Sequence, residues 1–318
     1  MLSVPFPKPH PHPLPRTKPF RLRRKRNVTI AIHLSGGGSL LTATDSQETY
    51  TSGEKIDSGK TISAGRSNPL GTINIAGAGD SEYIKAVSQE FRRKFQSFTG
   101  SIEQLEEQFR ETAHAFYSRH VLPFVGGFED EHVPDYSLLI AAYHEGHEKL
   151  WNIEKTMLTD DSLFATIGAG KPAADAFLNR LYPRYPTLDS LAILAAYVIY
   201  QVKNTVEGCG LKTEIRFLLP DRWIPTPVSF ELIEKWESLF RRYDRLGRDM
   251  FFQAMNFPVR PPEPPPSVRE SMQKQGILYD HEQAFPAQMK PLGEIVKDIE
   301  EIRAEFAKLP SIDPRNMR

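Results

Sequence analysis

The sequence predicts an α+β fold, and three features predict it. Alternating apolar and polar residues, many of them β-branched, recur between 28 and 80. Two stretches with helical periodicity then follow one another from 81 to 120, and strand-like runs return from 136 to 167 before further helices. Strands grouped with strands and helices grouped with helices point to the α+β class.

The elements follow in order. Val28–Leu34 alternates, Ser35-Gly36-Gly37-Gly38-Ser39 turns, and Leu40–Asp45 answers it, which reads as a β-hairpin. Lys60–Gly65 and Thr72–Gly77 read as a second strand pair. Gly77-Ala78-Gly79-Asp80 then opens a helix over Ser81–Gln96, with Asp80 or Ser81 placed to cap it. Its apolar stripe is Ile84, Ala86, Val87, Phe91 and Phe95. Phe98-Thr99-Gly100 breaks this helix. Ser101-Ile102-Glu103-Gln104 reads as a capping box for a second helix that buries Leu105, Phe109, Ala113, Phe116 and Tyr117 and reaches about His120. Strands are expected at Tyr136–Tyr143, Lys149–Met157 and Ser162–Ile167, with a turn at His144–His147. Gly168-Ala169-Gly170 leads into a helix through Leu181 with Pro172 near its start. Thr187-Leu188-Asp189-Ser190 caps a long apolar helix to about Asn204. Gly208-Cys209-Gly210 ends that segment, and Leu211–Leu218 alternates as a returning strand.

Both ends differ in composition from this middle. Residues 1–27 carry seven prolines, eight Lys or Arg residues and no acids, so this arm is expected to be extended or disordered, as a propeptide or a solvated tail. It has no apolar segment of the kind a secretory signal needs. Beyond Pro220, Phe230 to about Met255 reads as a charged amphipathic helix, Val259–Pro266 as a stiff proline linker, and 290–308 as a last helix. The expected division is a basic arm at 1–27, a domain at 28–220 and a helical extension at 221–318.

Composition excludes several classes. The 318 residues have a formal net charge of zero, which makes no global case for nucleic acid or membrane; only the basic arm offers a polyanion site. The longest largely apolar stretch, Leu191–Val202, is too short to cross a bilayer. The single cysteine, Cys209, excludes an internal disulfide and suits a reducing, cytoplasmic setting. No cofactor or metal is expected. His144 and His147 offer only two imidazoles at a turn, short of the three or four ligands zinc normally takes. Gly36-Gly37-Gly38 joins two strands and lacks the lysine of a phosphate loop. Cys209 has no histidine near it in sequence and reads as packing.

Several of these residues resemble a known pattern. A threonine opening the first strand, a hairpin, Ala43-Thr44-Asp45 ending the second strand, a lysine at 60 and Ala76-Gly77-Ala78-Gly79-Asp80 before a long helix together resemble a proteasome β-type subunit. More broadly they resemble the N-terminal-nucleophile hydrolases of the proteasome and its bacterial relatives. The resemblance covers about Asn27 to Leu219. It implies a four-layer αββα sandwich and a threonine-type endopeptidase, active once the arm is removed. Its hydroxyl nucleophile would have its own α-amine as base.

On that resemblance Thr29 is the nucleophile, Asp45 and Lys60 form the charge pair beneath it, and the Gly77 backbone N–H is the oxyanion donor. Aligning the strand bodies puts Asn27 or Val28 at the nucleophile position, whereas counting back from Asp45 puts Thr29 there. Two positions depart from the pattern. Ala169 stands where the family has a supporting serine, and Thr205, Glu207 and Gly208-Cys209-Gly210 stand where it has an aspartate and then Ser-Gly. The resemblance therefore also admits a non-catalytic structural subunit. Implied partners are a polypeptide substrate and copies of the same or related chains in an oligomer or ring.

Overall fold

In the computed structural model the described residues are 29–49, 55–57, 59–67, 70–125, 133–161, 163–254 and 292–312. The arm at 1–27, Val28 and the proline linker lie outside them.

The fold is α+β, with two five-stranded antiparallel sheets and six helices among the described residues. β1 (Ile30–Gly36) and β2 (Ser39–Asp45) form the opening hairpin. Gly36 pairs with Ser39, and the two residues between them, Gly37 and Gly38, hold φ of +61° and +71°. A two-residue turn with both φ positive matches the twist of paired strands, and glycine adopts it without a Cβ clash. A short ribbon of β3 (Gln47–Thr49) and β4 (Lys55–Asp57) follows, where the sequence suggested no element. β5 (Thr61–Ser67) and β6 (Leu70–Gly79) are the second pair.

Asp80 then caps α1 (Ser81–Ser97), its carboxylate accepting the Glu82 N–H at 3.2 Å. α2 (Ile102–His120) begins with the expected capping box: Ser101 N–H donates to Gln104 Oε1 at 3.0 Å and Gln104 N–H donates to Ser101 Oγ at 3.5 Å. β7 (Tyr136–His144) and β8 (His147–Glu154) meet at a second two-residue turn, with Glu145 and Gly146 both at positive φ. The sequence suggested one strand from Lys149 to Met157. Instead Lys155 takes φ +58°, the chain reverses after Glu154, and β9 (Met157–Asp160) pairs back on β8. β10 (Phe164–Gly168), α3 (Lys171–Leu181), α4 (Leu188–Thr205), β11 (Thr213–Leu218), β12 (Thr226–Pro227), α5 (Phe230–Ala254) and α6 (Leu292–Lys308) follow among the described residues.

One sheet has the order β10-β1-β2-β11-β12, the other β5-β6-β7-β8-β9. Alternation decides what each strand face buries. Ile30, Ile32 and Leu34 of β1 cluster with Ala174, Leu178, Leu191 and Ala195 of α3 and α4. Ala31, between them in sequence, clusters with Ala76, Ala78 and Leu139 of the other sheet and with Ala165 and Ile167 of β10. In the second sheet Ile73, Ile75, Ile140 and Trp151 meet Phe91, Phe95 and Phe109 of α1 and α2. α5 adds Ile233, Trp236 and Phe240 to the cluster that α4 fills. α6 packs on α5 through Ile295 and Ile302 against Leu239 and Leu246. No helix of the described residues is long and apolar enough to cross a membrane.

These pairings bring several chain segments to one end of the fold. Ile30 pairs with Gly168, and Asp45 pairs with Thr213. The start of β1, the end of β2, the end of β10 and the start of β11 are therefore neighbours.

Candidate functional site

Thr29, Asp45 and Lys60 converge at that end. Thr29 precedes β1 and is buried; Asp45 ends β2 and is fully buried; Lys60 precedes β5 in the other sheet. Thr29 Oγ1 donates to Asp45 Oδ1 at 2.7 Å. Lys60 Nζ forms an ion pair with the same oxygen at 2.7 Å and also donates to Thr29 Oγ1. The backbone completes the shell: Ile30 N–H donates to Asp45 Oδ1 at 3.1 Å, and Gly210 N–H donates to Asp45 Oδ2 at 2.9 Å. A buried carboxylate persists only when charge and hydrogen bonds replace its lost water, and Asp45 has both.

Thr29 is fixed from its carbonyl side as well. Gly170 N–H donates to its C=O at 3.3 Å. Gly168 holds φ +97°, and a Cβ there would fall 2.2 Å from the same oxygen. The Gly168-Ala169-Gly170 turn can approach Thr29 this closely because glycine lacks that atom.

The sequence reasoning missed several supports. Ser46 and Gln47 follow Asp45 and are buried. Ser46 N–H donates to the Lys212 carbonyl at 2.9 Å, Lys212 N–H donates to Ser46 Oγ at 3.0 Å, and Gln47 Nε2 donates to the Gly208 carbonyl at 2.7 Å. They hold the 206–212 loop against β2 and so present Gly210 N–H to Asp45. Spacing alone gave no signal for them. From the sequence, Cys209 is expected to be packing only. It does pack in the core cluster with α4, but it also sits within electrostatic reach of Asp45 and Lys60 and beside the Gly170 N–H. Burial and the Asp45 charge outweigh Lys60 and that N–H, and push the thiol up to about 12. Cys209 is therefore a neutral thiol packed beside the cluster.

Gly77 is placed differently from the other three. It lies on β6, paired with Leu138 on one side, with the Ile84 side chain closing over its Cα. Ala76 pairs with Thr61, so Gly77 is one residue past the ladder that ends next to Lys60. The hydrogen bonds that join Thr29, Asp45 and Lys60 do not include it.

His144 and His147 are not brought together as a metal site. His144 Nε2 donates to the Gly100 carbonyl at 2.7 Å and Nδ1 accepts from Arg66 Nη2 at 3.1 Å, while His147 is exposed across the turn. Among the described residues no three His, Cys, Asp or Glu side chains are grouped to hold an ion. His33 of β1 is fully buried on the Ala31 face, both ring nitrogens lack a partner, and burial lowers its pKa to about 3.

The class defined so far is an α+β protein whose first strand opens on a buried hydroxyl held by an acid and an amine. Comparison with known proteins narrows the fold but not the family. No protein-family model matches the sequence, and no curated protein matches it. Solved structures do. Anbu, the ancestral β-subunit, from Yersinia bercovieri superposes with a TM-score of 0.56 at 12% identity over 73% of this chain and 100% of that one. An Anbu Gly-1 mutant from Hyphomicrobium sp. strain MC1 gives 0.57 at 12% identity, over 73% of this chain and 98% of that one. The helical assembly of the Anbu complex from Pseudomonas aeruginosa gives 0.59 at 15%, over 74% of this chain and 99% of that one. At 12–15% identity the likeness is one of fold. This corrects the resemblance drawn from the sequence: the chain shares its fold with Anbu proteins and is not identified as a proteasome β-type subunit or as a member of that hydrolase family. The motif residues resembled the family, but the overall sequence does not carry the match.

Proposed function

We propose that this chain is a threonine-type amide hydrolase acting on polypeptides, with Thr29 as a nucleophile exposed by cleavage after Val28. The observation that carries the reading is the convergence of Thr29 Oγ1, the Asp45 carboxylate and the Lys60 ammonium. The associated layering is a four-layer αββα sandwich at 28–220 with 221–318 as an extension. The clusters of Ile32 with α4, Ala31 with Ala76, and Ile73 with Phe91 support it.

Two steps follow. In the first, Thr29 Oγ attacks the Val28 carbonyl carbon and displaces the Thr29 nitrogen, giving an ester. Water then hydrolyses the ester, releasing residues 1–28 and a free α-amine at Thr29. In the second, that amine takes the Oγ proton as Oγ attacks a substrate carbonyl. The leaving amine receives the proton, and water cleaves the acyl ester. The Lys60 charge favours the negative charge developing on Oγ, and Asp45 fixes both Lys60 and the hydroxyl. Gly77 N–H, one residue past the Thr61–Ala76 pair, is the proposed oxyanion donor. Peptide-substrate turnover and a β-lactone probe test the reading. The wild-type chain and Thr29→Ser should acquire one acyl group on residue 29, and Thr29→Ala none; a label elsewhere or no label contradicts it.

A second reading, a non-catalytic subunit of an assembly, has its own support. Ala169 offers no hydroxyl and Cys209 holds a neutral thiol where the resemblance expects serines. On either reading we propose self-association, since one solved structure of this fold is a helical assembly. A monomer at micromolar concentration contradicts that part. We place both readings in a reducing, cytoplasmic setting, which the lone Cys209 suits.

A further inference from the structure

We propose that Glu237, on helix α5 of the extension, is a positioning residue that holds the Gly210 N–H on Asp45 and so couples the extension to the Thr29 site. As a statement about the reaction it rests on the function proposed above. Its structural half stands separately.

The chain of contacts is short. Glu237 Oε1 accepts from Lys203 Nζ at 2.6 Å and from Thr213 Oγ1 at 2.6 Å. Lys203, near the end of α4, also donates to Thr213 Oγ1 at 2.8 Å and to the Leu211 carbonyl at 3.1 Å. Thr213 is the cross-strand partner of Asp45, and Leu211 follows the glycine whose N–H reaches Asp45 Oδ2. One carboxylate on α5 therefore fixes the chain just after Gly210, holding Thr213 directly and Leu211 through Lys203. The Lys203 and Glu237 side chains are only 10% and 16% exposed, so water does not readily replace either partner.

The loop needs such a tether. Leu211 holds φ +59°, a left-handed conformation that a leucine with a half-exposed side chain does not keep unaided. Its carbonyl is held by Lys203, whose charge is in turn matched by Glu237. The tether itself sits on a braced helix. Trp236 and Phe240 bury in the core on either side of Glu237, Arg242 pairs with Glu305 of α6 at 2.6 Å, and beyond α6 Ser311 Oγ and Ile312 N–H bond Asp189 at the start of α4. The extension thus supplies, through Glu237, support that the resemblance expected from serine and aspartate side chains in the loop itself.

The experiment compares full-length wild type, Glu237→Ala, Glu237→Gln, Lys203→Met and the exposed control Glu234→Gln. Hydrogen exchange of the 206–213 segment and the rate of cleavage before Thr29 are both read by mass spectrometry. Glu237→Ala and Lys203→Met should speed exchange at 210–213 by about ten-fold while α1 and α2 keep wild-type protection. Cleavage should slow by about ten-fold or more in the same variants, as a displaced supporting group does to a reacting one. Glu237→Gln keeps an acceptor oxygen and should restore most of the protection, and it serves where the alanine variant does not fold. Exchange indistinguishable from Glu234→Gln would overturn the proposal. Faster exchange with an unchanged cleavage rate would overturn the coupling. If wild type itself is never cleaved, the function proposed above fails, and the exchange result alone still decides whether Glu237 positions the loop.

Discussion

Replacing Lys60 by methionine isolates the electrostatics of the site. Asp45 is fully buried, and Lys60 is its one cationic partner among the hydrogen bonds described above. Removing one member of a buried ion pair costs about 3–5 kcal/mol, because the other charge stays buried without compensation. Asp45 retains the Thr29 O–H, Ile30 N–H and Gly210 N–H donors, which places Lys60→Met at the low end, about 3 kcal/mol. For a chain of this size that lowers the melting temperature by about 6 °C. Asp45→Asn removes the opposite charge, and Lys60→Met/Asp45→Asn removes both. The double variant should lose less than the sum of the single losses by about 1 kcal/mol or more, the coupling expected of residues in contact. Urea unfolding of the four proteins measures this. Additive losses would refute the claim that the two charges interact in the folded chain, whatever the activity results.

Three more expectations follow from the same residues. His33 is held near pKa 3 by burial, below its value of about 6.5 in an unfolded chain, so its contribution is intact above that value and lost as pH falls from there toward 3. Between pH 7 and pH 5 it should remove about 2 kcal/mol of stability, at about 1.4 kcal/mol per pH unit below 6.5, and His33→Leu should remove that part of the slope; an unchanged slope in urea titrations contradicts the assignment. Cys209, pushed up to about 12, should react with a disulfide reagent at pH 7.5 far more slowly in the native chain than after unfolding, by about a thousand-fold from thiolate fraction alone. Equal rates would put an exposed thiol at the site. Phe91→Ala, which empties a fully buried ring position facing Phe109, should cost about 3–5 kcal/mol by chemical denaturation; a loss under about 1 kcal/mol would contradict the packing of α1 on its sheet.

Much of this architecture could be read from local chemistry. The Gly37-Gly38 turn, the Ser101–Gln104 capping box and the Phe91/Phe95 stripe each signal themselves within a few residues, and each forms as expected. The β8–β9 reversal did not signal itself, because Lys155 in a left-handed turn carries no glycine or asparagine to mark it. At the site, Asp45 and Lys60 were singled out by the family resemblance and not by any local signal of their own. Their supports Gln47, Gly210 and Glu237 were not: the pairs Gln47–Gly208, Asp45–Gly210 and Thr213–Glu237 join segments that no local period connects. The resemblance to proteasome β-type subunits was carried by those few motif residues, and the comparisons keep only its fold.

The most direct test of the account is the intact mass of the purified wild-type chain beside that of Thr29→Ala. The account predicts that wild type loses residues 1–28 and begins at Thr29, while the alanine protein keeps Met1. Both proteins retaining Met1, or both being trimmed at the same bond, would contradict a hydroxyl at Thr29 that cuts its own chain.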